Sequence, residues 1–80
     1  MKKIIYFTAS WCNPCKVMGP MLEQISSNIP VDKIDVDSNR DLVSQYHIKS
    51  LPTLILLQNG VEIKRSIGSK SLSELTQFVS

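Results

Sequence analysis

The sequence predicts an α/β fold in which a four-stranded mixed β-sheet carries helices on both faces. Short apolar, β-branched runs alternate along the chain with segments whose apolar residues recur at helical spacing. An Asn59-Gly60 pair separates the last two strand-like runs, and this pair is typical of a tight β-hairpin turn. The predicted order is therefore βαβαββα. Two strands joined through a helix run parallel with a right-handed crossover, so the sheet is mixed and its apolar stripes need helices on both faces.

The first half of the chain contains two predicted strands with a long helix between them. Lys3–Thr8 is apolar, β-branched and aromatic, as in a buried strand. Pro14 suits the first turn of a helix, whereas Pro20 inside that helix should kink it because proline cannot donate the helical hydrogen bond. The second strand is predicted over Val31–Val36. The residues at helical spacing, which should form the buried face of the helix, are Val17, Met18, Met21, Leu22 and Ile25.

A short second helix is predicted near Asn39–Tyr46, with Ser38 and Asp41 at the spacing of a capping box. His47 follows it, and histidine tolerates the left-handed backbone conformation that often ends a helix. We therefore interpret His47 as a helix stop. The apolar residues expected to face inward from this helix are Leu42, Val43 and Tyr46.

The last part of the chain is predicted to be a hairpin followed by a helix. Thr53–Leu57 is continuously apolar, and Val61–Ile67 should return antiparallel to it. Ser71 and Glu74 have capping-box spacing at the start of the last helix. Its expected buried stripe consists of Leu72, Leu75, Phe78 and Val79.

Length and composition limit the chain to one domain, over residues 1–80, and exclude several functional classes. The chain is 42% hydrophobic and 20% charged, with a formal net charge of +2, so it is neither disordered nor fibrous. No apolar run approaches the ~20 residues of a membrane span. Without a basic stripe, the weak positive charge predicts no binding to nucleic acid or membrane. We expect a monomer.

The chain's two cysteines, Cys12 and Cys15, are three positions apart. A bridge between them closes so short a loop that it would stabilise the fold by only about 2 kcal/mol. No signal peptide precedes them, so we expect the protein in the reducing cytoplasm. In that compartment, a CxxC pair is typical of redox chemistry or metal binding rather than of a structural disulfide.

The position of the pair, between the end of a strand and the first turn of a helix, favours redox chemistry. The Cys12 sulfur should face unpaired N–H groups and the positive end of the helix dipole, which favour the nucleophilic thiolate. Cys15 lies one turn further along, within bonding reach. Cys12 can therefore attack a substrate disulfide, and Cys15 can attack the resulting mixed disulfide and release the reduced substrate.

Two other interpretations of the cysteines remain open. A zinc site could combine both thiols with His47 and a carboxylate such as Asp35 or Asp37, but the chain has no second CxxC and no pair of histidines. Alternatively, the cysteines could simply be small buried residues. The flanking Trp11 and Pro14 argue against that second interpretation.

One longer pattern resembles the thioredoxin family in order and spacing. It comprises the segment from Phe7 to Lys16, which reads FTASWCNPCK, followed by Pro20, by Leu51-Pro52-Thr53 and by Gly68. The resemblance covers nearly the whole chain and implies a thioredoxin-like fold. It also implies a general reductase of protein disulfides that needs no metal and no cofactor beyond its own disulfide, and that is recharged by a thioredoxin reductase or an equivalent electron donor.

The resemblance also implies roles for individual residues. Cys12 would be the attacking thiolate and Cys15 the buried resolving thiol, beside a cis peptide bond between Leu51 and Pro52. In the family, the residue before that proline pairs through its backbone with an extended substrate segment. The substrate platform carried over to this chain consists of Trp11, Pro14, Leu51, Pro52, Ile67 and Gly68.

Several residues depart from the family pattern or are expected to tune the cysteine pair. The family usually has glycine at Asn13 and a buried aspartate at Tyr6, and that aspartate helps to remove the proton of the resolving cysteine. Lys33 matches a lysine near it, and Lys16 directly follows the motif. Because a phenol is a poor base at neutral pH, we hypothesise that Tyr6 slows the resolving step. Ordinary thioredoxins also carry a further strand and helix before the strand that leads to CxxC.

Two alternative functions remain at this point. A glutaredoxin would perform the same chemistry with glutathione, although the Gly-Gly pair that glutaredoxins place after the hairpin is absent. A thioredoxin fold can also serve as a non-catalytic binding module. The intact Cys12 and Cys15 argue against such a module, which needs neither thiol.

Overall fold

A computed structural model describes all residues from 1 to 80, and its seven elements follow the predicted order. The strands are β1 (Lys2–Thr8), β2 (Val31–Asp35), β3 (Thr53–Gln58) and β4 (Val61–Ile67). The helices are α1 (Asn13–Ile25), α2 (Arg40–Gln45) and α3 (Leu72–Val79). The strand order across the sheet is β2-β1-β3-β4. Only β2 and β1 run parallel, and the other pairs are antiparallel, which confirms the mixed sheet.

The two faces of the sheet bury separate apolar clusters because successive strand residues point to opposite sides. On one face, α1 and α3 pack over Ile4, Tyr6, Leu54 and Leu56. On the other face, α2 covers the cluster formed by Ile5, Phe7, Ile55 and Leu57. Helices on both faces are thereby confirmed. None of the three helices has the length and apolar character needed to cross a membrane.

Two residues assigned to the buried helix faces are exposed, so those assignments were wrong. Val17 is 63% exposed, because the buried stripe of α1 runs through Cys15, Met18 and Leu22 and Val17 lies outside that spacing. Leu72 is 39% exposed. It occupies the first turn of α3, whose single fully buried residue is Leu75.

The predicted capping box at the start of α2 is also wrong. The residue preceding the helix is Asn39, and its side chain caps nothing in α2. Instead, its amide Nδ2 donates a hydrogen bond back to the carbonyl of Asp35 at 2.9 Å, and the N–H of Ser38 donates to the same carbonyl at 3.2 Å. These bonds form a turn before the helix, which therefore begins at Arg40.

Three of the local signals in the second half of the chain are confirmed. The hydroxyl of Ser71 accepts from the N–H of Glu74, and the Glu74 carboxylate accepts from the N–H of Ser71. This hydrogen bond from the Ser71 backbone is the main reason that the pKa of Glu74 lies below its usual value. His47 has a φ of 55°, as expected for a helix stop, and Asn59 and Gly60 have φ values of 52° and 83° in the hairpin turn.

Gly19 lies inside α1, and we expect its replacement by alanine to stabilise the protein. No atom lies within 4 Å of the position that a Cβ would occupy, and glycine costs a helix interior about 1 kcal/mol relative to alanine. The Gly19→Ala variant should therefore gain about 0.5–1 kcal/mol in free energy of unfolding, measured by urea denaturation. Gly68→Ala is the matched control: its φ of 94° makes a Cβ unfavourable, so that variant should lose stability. A lower urea midpoint for Gly19→Ala would contradict the expectation.

Candidate active site

The two cysteines lie where β1 gives way to α1. Cys12 is the residue that caps the helix, and its sulfur accepts a hydrogen bond from the N–H of Cys15 at 3.3 Å. The N–H of Cys12 donates to the carbonyl of Ala9 at 3.1 Å, which closes the turn after the strand. A disulfide joins Cys12 to Cys15, with the two Cα atoms 5.3 Å apart. Both residues are buried, with relative exposures of 5% and 2%.

Pro14 and Asn13 are exposed in the first turn of α1. Proline is tolerated there because the first N–H groups of a helix have no partner within the helix. Lys16, directly after the motif, is exposed as well. The sequence motif therefore places a proline and two polar side chains at the surface around a buried disulfide.

The indole ring of Trp11, the residue directly before Cys12, is exposed at the surface and makes one hydrogen bond within the protein. It is 64% exposed, and its Nε1–H donates to Oδ2 of Asp37 at 2.9 Å. Sequence reasoning missed this contact because the two residues are 26 positions apart. They meet because Thr8 and Asp35 are paired in the parallel ladder, so that the segments following β1 and β2 leave the same end of the sheet.

The segment that contains Pro52 lies at this end of the sheet as well. Phe7 pairs with Thr53, and Thr53 pairs with Ile67, so β1 ends where β3 begins and β4 ends. The peptide bond between Leu51 and Pro52 is cis, as the family resemblance implies. Leu51 packs against the apolar cluster that contains both cysteines.

Gly68 is tied to the cis proline through the backbone. Its N–H donates to the carbonyl of Pro52 at 2.9 Å, and its φ of 94° is one that glycine adopts at low cost. Pro52 is buried, whereas Ile67 is 65% exposed. The end of β4 therefore presents an apolar side chain next to the Leu51-Pro52 segment.

Tyr6 lies beneath the cysteines, on the face of the sheet that α1 covers. It is 2% exposed, and its hydroxyl donates to the backbone carbonyl of Cys15 at 2.7 Å. Lys33 is its partner on β2. Because the phenol proton is donated to a carbonyl, Tyr6 anchors the first turn of α1 to β1.

A zinc site was an open interpretation of the cysteine pair. The structure contains no group of three or more His, Cys, Asp or Glu side chains placed to hold one metal ion. His47, which that interpretation required, follows α2.

Comparison with known proteins identifies the family. The family model described as Thioredoxin matches residues 1–80 of this chain. The chain belongs to the thioredoxin family. The thioredoxin of Chlamydia trachomatis serovar D is 40% identical over 80 residues, an alignment that covers 96% of this chain and 78% of that protein. A bifunctional thioredoxin reductase/thioredoxin of Mycobacterium leprae is 38% identical, covering 96% of this chain and 18% of the relative.

Solved structures agree with this thioredoxin assignment. A mutant thioredoxin from Halobacterium salinarum superposes with a TM-score of 0.93 at 31% identity, covering 98% of this chain and 71% of that one. Thioredoxins are thiol-disulfide oxidoreductases, and this one has the CxxC pair closed as a disulfide between Cys12 and Cys15. The protein is therefore a disulfide reductase with a redox-active disulfide. This confirms the fold and the reaction class that the sequence predicts.

Proposed function

We propose that this thioredoxin reduces protein disulfides with Cys12 as the attacking thiolate and Cys15 as the resolving thiol. The observation that carries this assignment is the place of Cys12 at the amino end of α1. Its sulfur accepts the N–H of Cys15 there, and such a hydrogen bond together with the helix dipole stabilises a thiolate. Cys15, inside the helix and 2% exposed, is better placed to attack a disulfide already formed on Cys12.

The two steps conserve electrons between the protein and its substrate. The Cys12 thiolate attacks one sulfur of the substrate disulfide, forms a mixed disulfide and expels the other sulfur as a thiolate. Cys15 then loses its proton and attacks the Cys12 sulfur. The bond between Cys12 and the substrate breaks, the Cys12–Cys15 disulfide forms, and the substrate leaves with both of its sulfurs reduced.

The proposed substrate platform consists of the six residues Trp11, Pro14, Leu51, Pro52, Ile67 and Gly68. Trp11 and Ile67 supply exposed apolar surface, at 64% and 65% exposure, and exposed apolar groups in a soluble fold often mark interaction sites. The backbone N–H and carbonyl of Leu51 have no backbone partner. They are therefore available to pair with an extended substrate segment, as an added strand pairs with a sheet edge.

We also propose a thioredoxin reductase as the electron donor. The Mycobacterium leprae relative, whose name joins a thioredoxin reductase to a thioredoxin, supports this pairing by similarity. A carrier of this kind would work in the reducing cytoplasm. It would act as a monomer, because every group used in the two steps belongs to one chain. The steps use no metal or other cofactor.

Reduction of insulin disulfides tests the reaction, the site and the donor together. Wild-type protein should precipitate insulin with dithiothreitol and with thioredoxin reductase, and more slowly with glutathione and glutathione reductase. Cys12→Ser should lose this activity, whereas Ser10→Ala, a change at an exposed neighbouring residue, should keep it. No turnover with any donor would overturn the reductase assignment, and activity in Cys12→Ser would overturn the role of Cys12. Faster turnover with glutathione would favour the glutaredoxin alternative.

A further inference from the structure

A cavity of about 400 Å³ lies between α1 and the sheet, with Cys15 in its wall. Tyr6 and Thr8 contribute to it from β1, and Asp35 from β2. On the helix side, Gly19 contributes no side chain, and nothing fills the space that its Cβ would occupy. The volume is large enough for several water molecules.

The resolving step needs an acceptor for the proton of Cys15, because the thiolate is the nucleophile. Tyr6, which occupies the position of the family's buried aspartate, donates its own proton to the Cys15 carbonyl at 2.7 Å. The acceptor should therefore be another group that shares the cavity with Cys15. Its wall contains two carboxylates, those of Asp35 and Glu23.

The geometry favours Asp35 over Glu23. The ladder pairs Tyr6 with Lys33 and Thr8 with Asp35, and side chains two positions apart on a strand share a face, so Asp35 points to the α1 side. It is half-buried, and its Oδ1 is fixed by the N–H of Asp37 at 2.8 Å, while Oδ2 has no hydrogen bond within the protein. Glu23 is exposed and lies eight residues along α1 from Cys15, about 12 Å along the axis.

We propose that Asp35 accepts the proton of Cys15, through water in this cavity, during the resolving step; the inference rests on the proposed function. The proton passes from the Cys15 thiol to the Asp35 carboxylate, and the Cys15 thiolate attacks the Cys12 sulfur. The substrate sulfur leaves with the electrons of the broken bond. Asp35 then returns its proton to solvent through the mouth of the cavity.

The other charged and titratable groups around the cavity leave Asp35 as the fixed acceptor. From α1, the cavity wall includes Lys16 and Glu23; from β2, it includes Lys33; from β1, it includes Tyr6. Neither lysine lies within salt-bridge distance of a carboxylate, so neither holds Asp35 in an ion pair. Asp37 is not part of the cavity wall, and its Oδ2 accepts from the indole N–H of Trp11.

Stopped-flow reaction of the reduced protein with a dithiobis-nitrobenzoate disulfide separates the two chemical steps. Attack by Cys12 releases the first equivalent of coloured thiolate, and attack by Cys15 releases the second. In Asp35→Asn, which keeps an oxygen to accept the Asp37 N–H, the second phase should slow by about 10–100-fold near neutral pH, as expected for loss of a general base. The first phase should be unchanged.

The pH profile and a chemical rescue distinguish a proton acceptor from a merely structural residue. The second phase of Asp35→Asn should recover as pH rises, because hydroxide then removes the proton. Added formate should speed the second phase of Asp35→Ala, since a small carboxylate fits the cavity. Glu23→Gln is the matched control and should leave both phases unchanged.

The outcomes separate this assignment from the function on which it rests. A normal first phase together with an unchanged second phase in Asp35→Asn would overturn the role of Asp35. A slowed second phase in Glu23→Gln alone would also overturn it, in favour of the other carboxylate. Absence of a first phase in the wild-type protein would overturn the proposed function, and this assignment with it.

Discussion

Replacing Cys15 with serine is expected to produce a protein that attacks a substrate disulfide but cannot release the product. Serine fits the buried position of Cys15 in α1 because it is slightly smaller than cysteine. Its hydroxyl cannot resolve a mixed disulfide at neutral pH. Turnover with insulin should fall by at least ~10³-fold, as expected when a nucleophile is removed. A covalent complex with the substrate should accumulate, visible by non-reducing electrophoresis and intact-mass spectrometry.

The trapped complex also tests the order of the two cysteines. Dithiothreitol should dissolve the complex of Cys15→Ser, because the link is a disulfide to Cys12. The Cys12→Ser variant is the matched control and should trap nothing, since Cys15 lies inside the helix. A stable complex with Cys12→Ser and none with Cys15→Ser would reverse the proposed roles.

Truncating Phe7 to alanine is expected to have the largest effect on stability. Phe7 has no exposed surface, lies between the sheet and α2, and packs its ring against Tyr46 with centroids 5.8 Å apart. Phe→Ala at such sites costs about 3–5 kcal/mol, a large part of the ~5–15 kcal/mol by which native proteins are stable. Chemical denaturation of the oxidised protein should show a much lower midpoint or no folded baseline.

The exposed residue Ile63 provides the control for that truncation. It is 44% exposed on β4, so Ile63→Ala should change the free energy of unfolding by about 0.5 kcal/mol or less, as is usual for surface substitutions. Equal losses for the two variants would show that the Phe7 side of the sheet contributes little. Phe7→Leu should lie between them, because it leaves a smaller cavity.

The element types could be predicted because the responsible signals are local. Helical spacing of apolar residues and the Asn59-Gly60 pair each act over a few positions, and the structure has a helix or a turn in each case. The spacing between Cys12 and Cys15 is local too, so their disulfide is present as the motif implied. The cis bond at Pro52 came from the family resemblance, because nothing local to that segment favours cis over trans.

The contacts that shape the site could not be predicted, because they depend on how strands and helices pack together in the folded protein. Trp11 reaches Asp37 only once β1 and β2 are aligned, and Tyr6 reaches the Cys15 carbonyl only once α1 has docked on the sheet. The burial of Val17 was predicted wrongly for a similar reason. Val17 is four positions before Met21 and so fits one edge of an apolar helix face, but the rotation of α1 against the sheet buries the stripe through Cys15, Met18 and Leu22 instead.

The hydrogen bond between Trp11 and Asp37 gives the molecule a built-in optical reporter. Trp11 is the only tryptophan of the chain and directly precedes Cys12. Its indole N–H donates to a carboxylate at 2.9 Å. All tryptophan fluorescence from this protein therefore originates beside the disulfide. The fluorescence emission of the unlabelled protein can therefore be used to follow substrate docking. The emission of Asp37→Ala, which lacks the carboxylate that accepts from Trp11, can be compared with that of the wild-type protein.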